Sequence, residues 1–257
     1  MDYSEQNPGR IIGIIPARYG STRFPGKPLA DIHGRPMILR VCDQAALSGV
    51  LEDVIVATDD ARISETVTAH GYTAVMTSPD HRSGTDRCLE ALNIFSGSNG
   101  KQYDFVINIQ GDEPFLPPEH IRQVAGLLLR DGAPIATLVK TITYRDDIFN
   151  PNVVKAVTAN DGYALYFSRA PVPYLRDVDE TQWASKQAHL RHIGIYGFRV
   201  EVLKAVCHLP ESHLEKSESL EQLRWLESGF RIKTGITELH SLSIDTPGDL
   251  LKITNTG

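Results

Sequence analysis

The chain has 257 residues, 41% of them apolar and 23% charged, which is long enough to bury a sizeable core without disulfides or a structural metal. Its 32 acidic residues against 26 Lys and Arg give a formal charge of −6, which argues against a nucleic-acid binder because duplex affinity comes from basic side chains on phosphates. No apolar run approaches the roughly 20 residues of a membrane span, the start is polar, and Cys42, Cys88 and Cys207 form no C-x-x-C pair and read as buried thiols of a reducing cytoplasm.

Residues 1–9 are expected to be a flexible segment ahead of a single domain over 10–257. Ile11 to Ile15 is a short, wholly apolar run ended by Pro16, the pattern of a central parallel strand covered on both faces. A helix is predicted from Pro36 to Ser48, closed by Gly49, and a strand at Val54 to Ala57. Thr58-Asp59-Asp60 ends that strand and can cap the next helix, which Gly71 terminates. Thr73 to Met76 reads as a third strand, Thr85 to Phe95 as a helix, and Ser96 to Gly100 as a surface turn. Phe105 to Ile109 is the next buried strand, stopping at Gln110-Gly111-Asp112-Glu113-Pro114.

The second half is less regular. Strands are predicted at Ile135 to Ile142, Val153 to Val157 and Ile193 to Phe198, the last two as candidates for mixed or antiparallel pairing. An amphipathic helix follows at Ser219 to Glu227, then a final strand ending at Ile244-Asp245. Thr246 to Leu250 looks like the cap and first turn of a terminal helix. Alternating strands and helices predict an α/β fold. Its open, mostly parallel, Rossmann-like sheet is flanked by helices, with a mixed C-terminal extension and ligands at the strand C-terminal edge.

The richest stretch is Pro16-Ala17-Arg18-Tyr19-Gly20-Ser21-Thr22-Arg23-Phe24-Pro25-Gly26-Lys27-Pro28. Residues 16–40 hold five Lys or Arg and one acid, so an acidic protein is locally +4. Glycines that permit close backbone approach, two hydroxyls and three cations make a phosphate cradle. A plain surface loop explains the glycines and prolines, but less readily three cations at the end of a central strand. Neither a P-loop nor a G-x-G-x-x-G turn fits, since five residues separate Gly20 from Gly26 and Pro28 follows Lys27.

Ile14 to Leu29 resembles the nucleotide-binding signature of the sugar nucleotidyltransferases. More narrowly, it resembles the family of 3-deoxy-manno-octulosonate (KDO) cytidylyltransferases. The likeness continues through Val56 to Asp60, Ser83 to Arg87, Gln110 to Pro114, Tyr163 to Ala170, Arg191 to Gly197, Leu220 to Arg224 and Ile244 to Pro247, spanning residues 10 to 253 in the family's order.

The resemblance implies transfer of CMP from CTP to KDO for lipopolysaccharide synthesis. It also implies Mg²⁺ as cofactor and a cytoplasmic homodimer, while charge and the lack of a long apolar run already predict no nucleic-acid or membrane partner. Pro16, Ala17, Arg18, Gly20, Ser21, Thr22, Arg23 and Lys27 then bind the nucleotide. Ser83, Gly84 and Thr85 border the base, although Ser83 or Thr85 can equally serve as a helix cap. Arg18, Arg23 and Lys27 stabilise transferred charge, with Asp112 and Asp245 on the metal. Two strand-end carboxylates suit Mg²⁺, yet each Asp can also merely begin a turn.

Arg169, in an apolar segment, either snorkels or holds an anion. His192 and Tyr196, four apart in a strand, share a face. As family positions, Gln110, Arg169, His192, Tyr196, Glu221 and Gln222 become sugar contacts. Two other readings stay open: a cytidylyltransferase for 8-amino-KDO or a neuraminate-type acid, and a regulatory nucleotide-binding module without catalysis.

Overall fold

A computed structural model describes residues 9–20, 24–244 and 246–254, so the expected N-terminal segment before Gly9 lies outside it. The chain forms two compact units, residues 1–125 with 240–257, and residues 126–239. Among the described residues no helix is long and apolar enough to cross a membrane.

In chain order the first unit holds β1 (Ile11–Ala17), the hairpin of β2 (Asp31–Ile32) and β3 (Arg35–Pro36), α1 (Met37–Leu47), β4 (Asp53–Thr58) and α2 (Ala61–Ala69). Next come β5 (Thr73–Met76), α3 (Gly84–Asn99), β6 (Phe105–Asn108) and α4 (Pro118–Leu129), whose last turn begins the second unit. β1 pairs in parallel with β4 on one side and β6 on the other, and β4 pairs in parallel with β5. Ile12, Ile14 and Ile15 are wholly buried, so apolar side chains leave both faces of β1, as a covered parallel strand requires. Because all four strands run the same way, Ala17, Thr58, Met76 and Asn108 end along one edge.

Caps fall where the short polar side chains predict. The Asp60 carboxylate accepts from the Arg62 amide at 3.0 Å at the start of α2, and Ser83 Oγ accepts from the Asp86 amide at 3.1 Å at the start of α3. The predicted turn at Ser96 to Gly100 is instead the last turn of α3, which stops only at Gly100 with φ 70°. A left-handed C-terminal glycine offsets the poor helix propensity of Gly97, Ser98 and Asn99. α4 was not predicted, although Pro118 begins it and the buried Ile121, Val124, Ala125 and Leu128 are spaced i, i+3, i+4, i+7.

The second unit contains β7 (Ile135–Thr141), α5 (Arg145–Phe149), β8 (Lys155–Thr158), β9 (Ala164–Ser168), β10 (Leu190–Arg199), α6 (Val200–Cys207), α7 (His213–Glu218), α8 (Glu221–Glu227) and β11 (Ile232–Ile236). β7 lies parallel to β11 and antiparallel to β10, while β8 is antiparallel to both β10 and β9. The mixed pairing expected of this half is therefore present, and the fold is α/β with a mostly parallel sheet flanked by helices. α8 starts at Glu221 rather than Ser219, because Ser219 is left-handed with φ 51° and Leu220 is extended.

Among the described residues no strand runs to Ile244, where the final strand was expected to end with Asp245, and the last strand is β11. Residues 241–244 run irregularly in the first unit, held by a Ser241 hydroxyl donating to Glu113 and by the Ile244 amide donating to the Asp112 carbonyl at 3.0 Å. Ile244 is buried with Ile32 and Met37, so its apolar character serves a loop anchor, not a ladder. Thr246 and Asp249 cap each other's amides at 3.2 and 3.0 Å, opening the terminal helix Pro247–Thr254. Cys42 and Cys88 are buried as expected, and burial pushes the Cys42 thiol up to about 12. Cys207, the last residue of α6, is only half-buried, against expectation.

Candidate active site

The C-terminal edge of the first unit opens into a cleft of about 260 Å³. Its floor is the end of β1, Pro16 and Ala17, beside Gln110, Gly111 and Asp112 just beyond β6. Gly111 is required here: a Cβ on it would stand 2.8 Å from the Pro16 carbonyl oxygen. Only glycine lets the two backbones run so close and brings Asp112 to the edge.

The loop after β1 is clamped at Tyr19. The Gly26 amide donates to the Tyr19 carbonyl at 3.0 Å, Gly26 is left-handed at φ 73°, and a Cβ there would meet the tyrosine hydroxyl at 3.0 Å and its ring at 3.1 Å. The Arg62 guanidinium lies 3.4 Å from the centre of the same ring, a cation–π contact that further fixes it. Gly26 also caps the 3₁₀ turn Lys27–Leu29, which aims Lys27 back into the cleft. There Lys27 Nζ donates to Asp112 Oδ2 at 2.7 Å, with side-chain exposures of 14% and 29%. The lysine is held largely inside the wall while the carboxylate faces the opening.

Of the expected nucleotide contacts, Pro16, Ala17, Arg18, Lys27, Ser83 and Gly84 line this cleft. Thr85 is instead buried in the first turn of α3, and Gly20 has open space around it. Ser21, Thr22, Arg23 and Asp245 lie outside the described residues. Pro28, His81, Arg82, Arg87 and Gly111 also line the cleft and were not singled out as site residues. Arg82 just ahead of a helix cap was the available signal, since a cation there faces the strand-end edge. Arg87 is buried, donating to Thr77 Oγ1 at 2.6 Å and Asp59 Oδ2 at 3.3 Å. One lining carboxylate among Arg18, Lys27, Arg82 and Arg87 leaves the cleft with an excess of positive side chains, suited to a polyphosphate.

The remaining candidates, Gln110 apart, lie in the second unit. The Arg169 guanidinium donates to the carbonyls of Glu218 at 2.6 Å, Pro151 at 2.9 Å and Ser219 at 3.3 Å. Of its five N–H groups two remain, one on each terminal nitrogen. Glu221 Oε1 accepts from the buried Arg224 at 3.0 Å, and Gln222 is buried at the start of α8.

His192 and Tyr196 do meet, their ring centroids 5.2 Å apart. In a regular strand residues four apart would be separated by about 13 Å. A bulge sets the four residues Ile193 to Tyr196 against only Leu138 and Thr137, and Gly194 inside it was the sequence signal. The Thr137 hydroxyl, donating to the Ile195 carbonyl at 2.8 Å, accepts from His192 Nε2 at 2.9 Å. The Tyr196 hydroxyl is buried and, among the described residues, makes no hydrogen bond. Burial, reinforced by Glu221, pushes it well above its ordinary range.

Burial lowers His192 to about 3. An imidazole that titrates near 6.5 when unfolded and is held neutral in the fold contributes stability that is complete above that pH. It is lost as pH falls toward the folded value. Thermal melts from pH 7 to 4 should therefore show a falling Tm, with a shallower fall in His192→Asn; parallel curves would refute the assignment.

Asp112 also permits a test of metal fit. Among the described residues no three His, Cys, Asp or Glu side chains gather as a ligand set. Mg²⁺, however, commonly takes one or two carboxylates and completes its shell with substrate phosphates and water. A hard, partly exposed carboxylate beside the cations of the cleft fits that pattern.

A strand-edge cleft with a glycine-clamped cationic loop and a facing carboxylate is the architecture of a nucleotidyltransferase, and residues 12–233 match the family model described as Cytidylyltransferase. The chain belongs to this family, in its 3-deoxy-manno-octulosonate cytidylyltransferase branch. The 3-deoxy-manno-octulosonate cytidylyltransferase of Parabacteroides distasonis is 51% identical over 247 residues, covering 95% of this chain and 96% of its own. That of Thermodesulfovibrio yellowstonii is 50% identical, covering 93% and 94%. A solved CMP:2-keto-3-deoxy-manno-octonic acid synthetase complexed with CTP superposes with a TM-score of 0.86 at 41% identity, covering 96% of this chain and 98% of that one. A 4-diphosphocytidyl-2C-methyl-D-erythritol synthase from Anaerococcus prevotii, 12% identical with a TM-score of 0.58, shares the fold over 97% of this chain and 99% of that one.

Proposed function

We propose that the protein transfers CMP from CTP to the anomeric hydroxyl of KDO, giving CMP-KDO and pyrophosphate. The observation that carries this reading is the Lys27–Asp112 pair at the edge of β1 and β6, set in a cationic cleft. The family relationship supports the substrates. In the reaction the hydroxyl oxygen of the sugar bonds to the α-phosphorus, the bond to the α–β bridging oxygen breaks, and the hydroxyl proton passes to solvent. Pyrophosphate carries the bonding electrons away.

Arg18 and Lys27, with Arg23, hold the triphosphate and neutralise charge on the leaving group, so catalysis rests on positioning and electrostatic stabilisation. Asp112, with Asp245, would hold Mg²⁺, which supplies Lewis-acid polarisation of phosphate oxygens. Arg169 offers its two remaining N–H groups to the sugar carboxylate, and His192, Tyr196, Glu221, Gln222 and Gln110 contact its hydroxyls. The protein acts as a cytoplasmic homodimer in lipopolysaccharide synthesis.

The test is pyrophosphate release with CTP and Mg²⁺ across KDO, 8-amino-KDO and N-acetylneuraminate. Turnover with KDO alone is expected. Turnover only with another acid reassigns the sugar, and CTP binding without turnover makes the protein a regulatory module.

A further inference from the structure

The cleft has two kinds of wall. Arg18, Lys27 and Asp112 form the phosphate side, and the loop between β5 and α3 supplies the rest through His81, Arg82 and Ser83. That loop is anchored at both ends. The Thr77 amide donates to the Thr58 carbonyl at 2.8 Å, and Ser83 caps α3. The intervening segment is irregular, and within it the Asp80 amide donates to Ser78 Oγ at 3.1 Å, a short-range tie.

A side chain from outside the loop steadies its middle. Glu90, in the second turn of α3, reaches back so that Oε2 accepts from the Ser78 amide at 2.8 Å and contacts His81 Nε2. Burial pushes the Glu90 carboxyl up, but these two contacts outweigh it and hold the group below its ordinary range. One carboxylate oxygen thus joins the loop backbone to a side chain that lines the cleft. Glu90 is 33% exposed and His81 19%, so the contact lies at the rim and its loss leaves the core intact.

We infer that Glu90 is a positioning residue for nucleotide binding, acting through His81 and the Ser78 amide to set the loop wall of the cleft. The inference rests on reading this cleft as the CTP site. Without Glu90 the loop keeps its two ends but loses the tie from Ser78 and His81 to α3, and His81 no longer meets the nucleotide at a fixed distance. Glu90 acts through Ser78 and His81 of the nucleotide wall, so its effect belongs to one substrate only.

Glu90→Ala and Glu90→Gln are to be compared with the wild type by calorimetric titration of CTP without sugar acid, and by steady-state pyrophosphate release. For Glu90→Ala, the CTP Kd and KM are expected to rise about tenfold, or 1.4 kcal/mol. The KM for KDO, kcat and Tm should not change. Glu90→Gln should recover part of the loss, because its amide oxygen still accepts from the Ser78 N–H. Unchanged CTP affinity in a folded Glu90→Ala protein overturns the inference, as does equal loss toward both substrates. A wild-type protein that binds KDO but not CTP overturns the reading of the cleft, and this inference with it.

Discussion

Lys27→Ala is expected to lower kcat/KM by about a thousandfold or more, roughly 4 kcal/mol of lost transition-state stabilisation. Two effects add. The variant loses the cation nearest the strand-end carboxylate, and it leaves Asp112 without the partner now 2.7 Å away. A polyphosphate then meets an uncompensated negative charge where it previously met a near-neutral pair. The loss should exceed that of any exposed cation, because the Lys27 side chain is mostly buried in the wall, where charge is less screened. Folding should be little affected, because the Asp112 carboxylate left behind is 29% exposed and water can solvate it. Steady-state pyrophosphate release alongside a thermal melt checks both parts. Near-wild-type turnover, or lost activity explained by an unfolded protein, removes Lys27 from the assigned role.

How this lysine is presented was only partly legible in the sequence. The cationic loop, its glycines and the strand before it were plain from composition and pattern, because a buried parallel strand is a run of β-branched residues and phosphate binding needs cations. What sequence could not show was the clamp. Tyr19 read as one more loop residue, yet it holds Gly26 and thereby directs Lys27. Likewise Gly111 read as a turn residue, whereas its missing side chain lets Asp112 pass beside Pro16. The first role depends on backbone geometry within one loop and the second on contact between segments distant in sequence, and local periodicity encodes neither.

The second unit shows the same limit from another side. The even spacing of His192 and Tyr196 predicted a shared face, and the rings do meet, but through a bulge that a regular strand lacks. The final strand failed because an apolar Ile244 signals burial without saying what pairs with its backbone. The division between the units falls inside α4 and at residues 239–240. Neither place has the polar, glycine-rich composition by which a linker is recognised.

The second large effect is expected at Asp112. In Asp112→Asn, turnover at saturating CTP should fall by about a hundredfold to a thousandfold, the scale of losing one charge-stabilising group from a transfer site. The substitution is nearly isosteric, and the contact that ties residue 112 to the chain is its backbone carbonyl accepting from the Ile244 amide at 3.0 Å. The fold should therefore survive. Charge and metal roles predict opposite changes in metal-free CTP binding. If Asp112 served only to hold Lys27 in place, the neutral amide would loosen the lysine, and CTP affinity would fall along with turnover. If Asp112 holds Mg²⁺, removing its charge makes the cleft more cationic, so metal-free CTP should bind at least as tightly while turnover collapses. The Mg²⁺ concentration giving half-maximal rate should also rise. Calorimetric titration of CTP in chelator, set beside a Mg²⁺ titration of the rate, separates the two. Weaker metal-free binding with an unchanged Mg²⁺ midpoint would leave the carboxylate as a tether for Lys27 and no more.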